Sequence, residues 1–420
     1  MKFFIYTLGC KVNQYESQVI TELLIGRGFV PAPSAEEADI FIINSCTVTG
    51  EGDRKTRQMV RKYKRINPNA TAVLIGCMPQ AFPADAEKVV EADIISGNTT
   101  PEKIPDMIEQ FLKKRERIVD ITPHERGEKY NTPSLKSFNE RTRAFMKIED
   151  GCDRYCTYCT IPKARGDIRS RSLDDIEKEA ASLAKNGYKE IVLVGINLTS
   201  YGREMGLTIC DAVAAAAKPE GIRRIRLGSL EPDHISDETL EKLSKIPEFC
   251  PQFHLALQSG CDETLKRMNR HYDTAFYRDL VARIRAKFEN SSITTDIMVG
   301  FPGETNEEFE KSLAFYREIG FARGHVFAYS KRAGTIAAAL KNQVDEAVKT
   351  HRARLMGAAA AECEKAFIKT QIGKTAKVLF ETYKSGQNFG YTENYTHVTL
   401  KDTDLSGGIV RMELTEAELL

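Results

Sequence analysis

No part of this 420-residue chain stays apolar for the roughly 18 residues that a membrane span requires, because charged residues recur throughout. The opening run, Phe3 to Leu8, is too short for the apolar segment of about 7–15 residues in a secretory signal, and Lys11 and Asn13 follow at once. Both absences point to a cytoplasmic protein. An excess of charge is missing as well: 60 Lys and Arg stand against 59 Asp and Glu. No global field therefore advertises nucleic acid, and any basic surface must be local. No His–carboxylate constellation is evident among the 7 histidines, which speaks against general acid–base work as the main chemistry.

Ten cysteines are present: Cys10, Cys46, Cys77, Cys152, Cys156, Cys159, Cys210, Cys250, Cys261 and Cys363. In a reducing compartment such a set points to metal or redox ligands more than to a disulfide framework. The length allows two or three domains. The first hundred residues repeat one pattern, in which "KFFIYTLGC", "ADIFIINSC" and "TAVLIGC" alternate with amphipathic stretches. Val19, Ile20, Leu23 and Leu24 carry helical spacing, ended by Gly26 and Gly28, and "EGDRKTRQMVRKYKRINP" forms the second crossover. This βαβαβ pattern predicts a doubly wound parallel sheet with its strand ends on one edge. Cys10, Cys46 and Cys77 each sit one step past a strand and so at that edge. Three such thiolates suit three irons of an iron-sulfur cluster with the fourth open; a three-ligand zinc site is the alternative.

After a polar linker comes "AFMKIEDGCDRYCTYCTIPKARGDIRSRS", in which Cys152, Cys156 and Cys159 form C-x3-C-x2-C behind a strand expected at Phe145–Glu149. One loop with three thiolates and no fourth ligand nearby favours a cluster with an open iron over closed structural zinc. Strand-like runs then recur at "EIVLVGIN", "RIRLGSLEP", "QFHLALQSG", "ITTDIMVGFPG" and "GHVFAYSKRAG". With the strand at Phe145 they predict a partial (β/α)6 TIM-like barrel. In the first of its helices Ser172 and Asp175 make a capping box, Ile176, Ala180, Leu183 and Ala184 the buried stripe, and Gly187 the stop. Barrel chemistry gathers at the C-terminal strand ends, where Asn197, Ser229, Glu231, Gln258, Ser259 and Gly300 fall as a cofactor wall.

From Gly373 onward, short alternating runs punctuated by glycine predict a small antiparallel β-barrel. Phe389 and Tyr391 lie there among polar residues, a combination suited to stacking on bases. Arg54, Arg57 and Arg61 crowd the crossover after Cys46, while Arg165, Arg169 and Arg171 follow the cysteine loop. Both groups offer local charge for phosphates. The expected division is residues 1–115 for the first sheet, 116–143 for a linker, 144–370 for the barrel and 371–420 for the small β-domain.

Taken in order, "TLGCKVNQYES", "NSCTVTGEGDRKTRQ", "IGCMPQ", "IEDGCDRYCTYCTIPKARGDIRSRS", "LALQSGCDETLKRMNR" and "TDIMVGFPGET" resemble the radical S-adenosylmethionine methylthiotransferases over nearly the whole chain. Lys11 and Val12 in "TLGCKVN" resemble the branch that acts on N6-threonylcarbamoyladenosine at position 37 of tRNA. The isopentenyladenosine branch usually has glutamine and methionine there. The resemblance implies an auxiliary 4Fe-4S cluster on Cys10, Cys46 and Cys77, and a radical 4Fe-4S cluster on Cys152, Cys156 and Cys159. On the latter, S-adenosylmethionine would be cleaved to a 5′-deoxyadenosyl radical. Tyr158 would pack near the adenine moiety, the C-terminal domain would be a TRAM-like RNA-binding fold, and the partner would be a tRNA anticodon stem-loop. "YSKRAGTIAA" departs from the family in lacking the prolines usual near Lys331 and Ile336. A related branch modifies a ribosomal-protein aspartate, and a non-catalytic iron-sulfur RNA-binding protein is the reading from another class. Cys210, Cys250, Cys261 and Cys363 show no ligand spacing and are expected to be structural.

Overall fold

The computed structural model describes residues 1–136 and 142–419, so residues 137–141 of the expected linker lie outside the described residues. The chain forms two compact units. One comprises Met1–Leu135, Phe145–Ser170 and Ser330–Ala338; the other comprises Lys136–Ala144, Arg171–Tyr329 and Ala339–Leu420.

The first unit is built on β1 (Lys2–Thr7), α1 (Lys11–Gly26), β2 (Val30–Pro31), β3 (Ile40–Ser45), α2 (Gly50–Ile66), β4 (Thr71–Gly76), α3 (Cys77–Ala81), α4 (Pro83–Glu87), β5 (Ile94–Ser96), α5 (Ile104–Lys114) and β6 (Ile118–Asp120). The strands make one parallel sheet in the order β2-β1-β3-β4-β5-β6. Alternate residues of a strand face opposite sides. Ile40 and Ile42 pack with Ile20, Leu24, Ile108 and Phe111 on one face, while Phe41 and Ile43 meet Val60, Tyr63 and Met78 on the other. The sheet is therefore doubly wound, as expected. From β1 the chain steps to β2 on one side and to β3 on the other. The strand order reverses between β1 and β3, which opens a crevice at their C-terminal ends.

Three strands escape the sequence pattern. β2, β5 and β6 span only two or three residues, too few to show a period. β6 carries the sheet past residue 115, where the first domain was expected to end. The same unit holds β7 (Arg143–Lys147) from Phe145 onward, β8 (Glu149–Asp150), α6 (Ile161–Arg165) and β9 (Arg169–Ser170). β8 and β9 pair antiparallel and close the cysteine loop.

The second unit continues with α7 (Leu173–Lys185), β10 (Glu190–Val194), α8 (Ile209–Ala217), β11 (Arg224–Leu227), β12 (Ser229–Leu230), α9 (Asp237–Ser244), β13 (Gln252–Leu255), α10 (Asp262–Arg267), α11 (Thr274–Lys287), β14 (Ser292–Val299), α12 (Asn306–Ile319) and β15 (Arg323–Ala328). Every pairing here is parallel: β10 with β11, and β12, β13, β14 and β15 in series. α7 is capped by Ser172, whose hydroxyl accepts from the Asp175 N–H. Ile176, Ala180 and Leu183 are buried, whereas Ala184 is not. After α13 (Ile336–Ala339) and the long α14 (Glu346–Lys369), the strands β16 (Thr375–Lys384), β17 (Gln387–Tyr391), β18 (His397–Leu400) and β19 (Ile409–Glu413) form an antiparallel sheet in the order β18-β17-β16-β19. Val378, Phe380, Val398 and Leu414 make its core. A bridge from Leu419 back to Val398 brings the chain's end onto β18.

This β-domain docks on the strand starts of the parallel sheets. Arg224, which opens β11, donates to the Lys377 and Tyr391 carbonyls. Arg226 donates to Glu393 and Thr392, and Ser292, which opens β14, donates to the Asn394 carbonyl at 2.6 Å. Glu190 sits buried between Arg224 and Arg226. The polar residues expected to face a cofactor lie at the other end of these strands.

Candidate functional site

Cys10, Cys46 and Cys77 follow β1, β3 and β4, three adjacent strands. The chain leaves β1 through Gly9, whose φ of +109° suits glycine, and a Cβ there would meet the Cys46 Cβ at 3.0 Å. Close approach of the first two strand ends thus depends on that glycine. A buried amide network ties the ends together. Asn13 donates to Asn44 Oδ1 at 3.2 Å and to the Ser45 carbonyl at 3.0 Å. Its own Oδ1 accepts from the Cys10 thiol at 3.2 Å. Ser45 Oγ donates to the Ile75 carbonyl and accepts from the Met78 N–H, which fixes β3 to β4 beside Cys77.

Beneath these ends lies a buried charge cluster. The Lys147 ammonium bridges Glu16 at 2.8 Å and Asp150 at 2.6 Å. Arg165, with no exposed surface, pairs with Glu16 and reaches Asp150 at 3.3 Å. Arg169 meets Asp150 at 3.2 Å. Burial would raise the Glu16 and Asp150 carboxyls, but the surrounding cations outweigh it and hold both below the usual carboxylate range. Burial pushes the Cys77 thiol up to about 12, and the Arg165 guanidinium pulls the other way. Arg165 also reaches the same Asn13 oxygen that Cys10 uses, at 3.5 Å. A fixed cation close to Cys77 favours anionic sulfur there.

The second trio sits in the loop from β8 to α6. Gly151 has φ +90°, and a Cβ would lie 1.9 Å from the Asp167 carbonyl oxygen, so only glycine lets the loop close on itself. The Cys152 N–H then donates to Gly166, and the Ile161 N–H donates to the Cys159 sulfur at 3.4 Å. α6 packs on α3, with Ala164 against Cys77 and Ala81. One residue past Cys159, the Thr160 hydroxyl donates at 3.2 Å to the carbonyl of Thr47, one residue past Cys46. The two trios therefore stand in one unit, joined by a direct bond.

Among the described residues, no three His, Cys, Asp or Glu side chains gather closely enough to share one metal ion. A cubane takes each thiolate on a different iron. All-thiol donors at three adjacent strand ends, or along the single loop from Cys152 to Cys159, fit that demand.

Not every expected site residue faces the site. Arg165, Arg169 and Arg171 are internal: the first two belong to the charge cluster, and Arg171 pairs with buried Glu179 at 2.7 Å. Their guanidinium groups are buried and committed to internal carboxylates, which departs from the surface placement expected from the sequence. Tyr391 stacks on Tyr395 with ring centroids 4.4 Å apart, under the Arg143 guanidinium. Phe389 lies beside His397. Tyr391 is half-buried and engaged by Tyr395, His397 and Arg143. Arg54 and Arg61 are exposed on α2, Arg54 paired with Glu51 and Arg61 with Glu91, while Arg57 is half-buried.

In the second unit Ser229 is exposed and Gln258 half-buried at the strand ends. Asn197 and Ser259 are turned inward: Asn197 donates to Ser200 Oγ, and Ser259 accepts from the Cys261 N–H. Both side chains are buried and make local turn bonds. Glu231 is held by Arg270 at 2.5 Å, and the Gly300 N–H is taken by Glu304. Tyr158 is half-buried within the cysteine loop. The amide network and the Glu16–Lys147–Asp150 cluster were missed. Their signal was present, in the polar residues of "CKVNQYES", "NSC" and "KIED", but pairing across more than a hundred residues is not written in spacing.

The comparisons agree with this geometry. Residues 146–316 match the radical SAM superfamily and residues 2–97 match uncharacterized protein family UPF0004. The chain is 36% identical to threonylcarbamoyladenosine tRNA methylthiotransferase MtaB of Bacillus subtilis, over 98% of this chain and 93% of that one. It is 38% identical to the MtaB of Thermotoga maritima, over 93% and 89%. It is 33% identical to tRNA-2-methylthio-N(6)-dimethylallyladenosine synthase of Pelotomaculum thermopropionicum, over 100% and 96%. The fold resembles that of the radical S-adenosylmethionine methyltransferase TsrM from Kitasatospora setae, with a TM-score of 0.56 at 14% identity, covering 80% of this chain and 77% of that one. With cysteine trios on both a doubly wound sheet and a radical SAM loop, and with near full-length identity above 30%, the chain belongs to the radical SAM tRNA methylthiotransferases.

Proposed function

We propose that this enzyme places a methylthio group on C2 of N6-threonylcarbamoyladenosine at position 37, within the anticodon stem-loop of cytoplasmic tRNA. The observation that carries the reading is the Thr160–Thr47 bond, which holds two thiol trios side by side. Cys152, Cys156 and Cys159 would hold the 4Fe-4S cluster that binds S-adenosylmethionine, and Cys10, Cys46 and Cys77 a second 4Fe-4S cluster. Together these groups would supply one-electron hydrogen abstraction and a place for sulfur, chemistry that no protein side chain provides.

The chain's own residues prepare that chemistry. Gly9 and Asn13 bring two strand ends together, Arg165 offsets anionic sulfur, and Gly151 closes the loop. Tyr158 would line the adenine side of S-adenosylmethionine, with Ser229, Gln258 and Gly300 at the strand ends of a partial (β/α)6 barrel. Arg54, Arg57 and Arg61 would meet RNA phosphates, and the C-terminal sheet would act as a TRAM-like RNA-binding domain.

Nucleoside analysis of tRNA from cells that lack the modification, with and without this chain, tests substrate and reaction together. The expected product is 2-methylthio-N6-threonylcarbamoyladenosine; methylthiolation of dimethylallyladenosine alone would overturn the branch. Cys10→Ala is expected to abolish the methylthio product while 5′-deoxyadenosine still forms, and Cys152→Ala to abolish both.

A further inference from the structure

The segment Ser330–Ala338 between β15 and α14 belongs to the cysteine-bearing unit. It contains "SKRAGTIAA", the stretch that lacks the family's usual prolines. Arg332 is 6% exposed. Its Nη2 donates to Thr47 Oγ1 at 2.7 Å and to Asp53 Oδ2 at 2.6 Å, and Thr47 Oγ1 donates to Asp53 Oδ1 at 2.9 Å. The guanidinium also lies 5.0 Å from the ring centre of Phe82, which packs on Cys77. Ser330 Oγ accepts from the Gly50 N–H at 3.0 Å. At the other end of the segment, the Ala337 N–H donates at 2.8 Å to the carbonyl of Thr157, between Cys156 and Cys159.

One short segment thus grips the residue after Cys46, the ring beside Cys77 and the loop that carries Cys156 and Cys159. We propose that Ser330–Ala338 is a strap that fixes the two thiol trios relative to each other, with Arg332 as its positioning residue. Its purpose is coupling: a radical formed at one trio must meet sulfur held at the other, and a displacement of about 1 Å can cost on the order of a hundredfold in rate. A buried, charge-assisted fork is stiff enough for that task. The bonds come from Ser330, Arg332 and Ala337, so the strap does not require proline at positions 331 or 336.

The proposal rests on the two-cluster reading, and the experiment separates the two. The full chain is reconstituted anaerobically, and iron is counted in wild type and in Arg332→Ala, Arg332→Lys and Ala337→Pro. Proline at 337 removes the N–H that reaches Thr157; because Ala337 is fully buried and follows the first helical residue, the ring also presses on its surroundings and on Ile336, and the iron count in this variant controls for that. Wild type with about four irons instead of about eight would end the two-cluster reading itself. With both clusters present in every variant, two quantities are read: methylthio nucleoside formed per 5′-deoxyadenosine, and the magnetic coupling between the reduced clusters by electron paramagnetic resonance. The expected result is an unchanged iron count, weakened coupling, and a product ratio down about tenfold in Arg332→Ala and about threefold in Ala337→Pro. Arg332→Lys should fall between wild type and Arg332→Ala. An unchanged ratio and coupling would overturn the strap. Should Arg332→Ala fail to fold, Ala337→Pro decides by the same two readouts.

Discussion

Two groups of arginines look alike in the sequence and differ entirely in the folded chain. Arg54 and Arg61 stand exposed on α2, each paired with a carboxylate, and Arg57 is half-buried on the same helix. Arg165 and Arg169, which follow the second cysteine trio, are enclosed with Glu16, Lys147 and Asp150. Clustered positive charge is thus no evidence of a binding surface until its burial is known. A buried guanidinium needs carboxylates and returns rigidity; an exposed one keeps its water and is available to phosphate. The same contrast recurs in the second unit, where Arg224 and Arg226 surround Glu190 and anchor the C-terminal sheet.

The comparison can be broken by substitution. Arg165→Ala leaves Glu16 and Asp150 short of a partner and should cost about 3–5 kcal/mol of stability, read as a lower urea midpoint; a loss under about 1 kcal/mol would place Arg165 with the surface arginines. A smaller effect is expected at Glu190. Burial would raise its carboxyl, but Arg226, Arg143 and Arg224 together lower it. A carboxyl lowered in the folded state adds stability that is complete above its ordinary pKa of about 4.3 and is lost as pH falls below that value. Glu190→Gln should therefore be less stable at pH 7 and flatten the acid limb of the stability curve below about pH 5. An acid limb as steep as that of wild type would show that Glu190 contributes nothing there. On the exposed side, the combined change Arg54→Ala, Arg57→Ala and Arg61→Ala should leave the urea midpoint nearly unchanged. It should weaken tRNA binding several-fold and flatten the salt dependence by about two units of slope. Smallest of all, Arg61→Ala alone should change stability by less than about 1 kcal/mol, because its pair with Glu91 is exposed.

Local patterns were legible where the physics is local. The fully buried runs of β3 and β4 read as parallel strands because both faces are covered, and the cysteines behind them could be placed on one sheet edge by the handedness of crossovers alone. The helix after Ser172 was legible from its cap and its stripe. Strands of two or three residues were not, and neither was the inward turn of Asn197 and Ser259, since a polar residue at a strand end serves a loop or a ligand equally well by sequence.

By itself, the sequence determined the two thiol trios, the parallel α/β architecture and the chemistry those thiols imply, since each depends on residues near one another in the chain or on a rule of chain handedness. Only the tertiary structure decided which arginines are interior, that Thr160 and Arg332 tie one trio to the other, and that the C-terminal sheet sits on the strand starts. Those outcomes depend on burial and on partners as much as 285 residues apart, and the energy of a charge is set by what surrounds it rather than by where it stands in the chain.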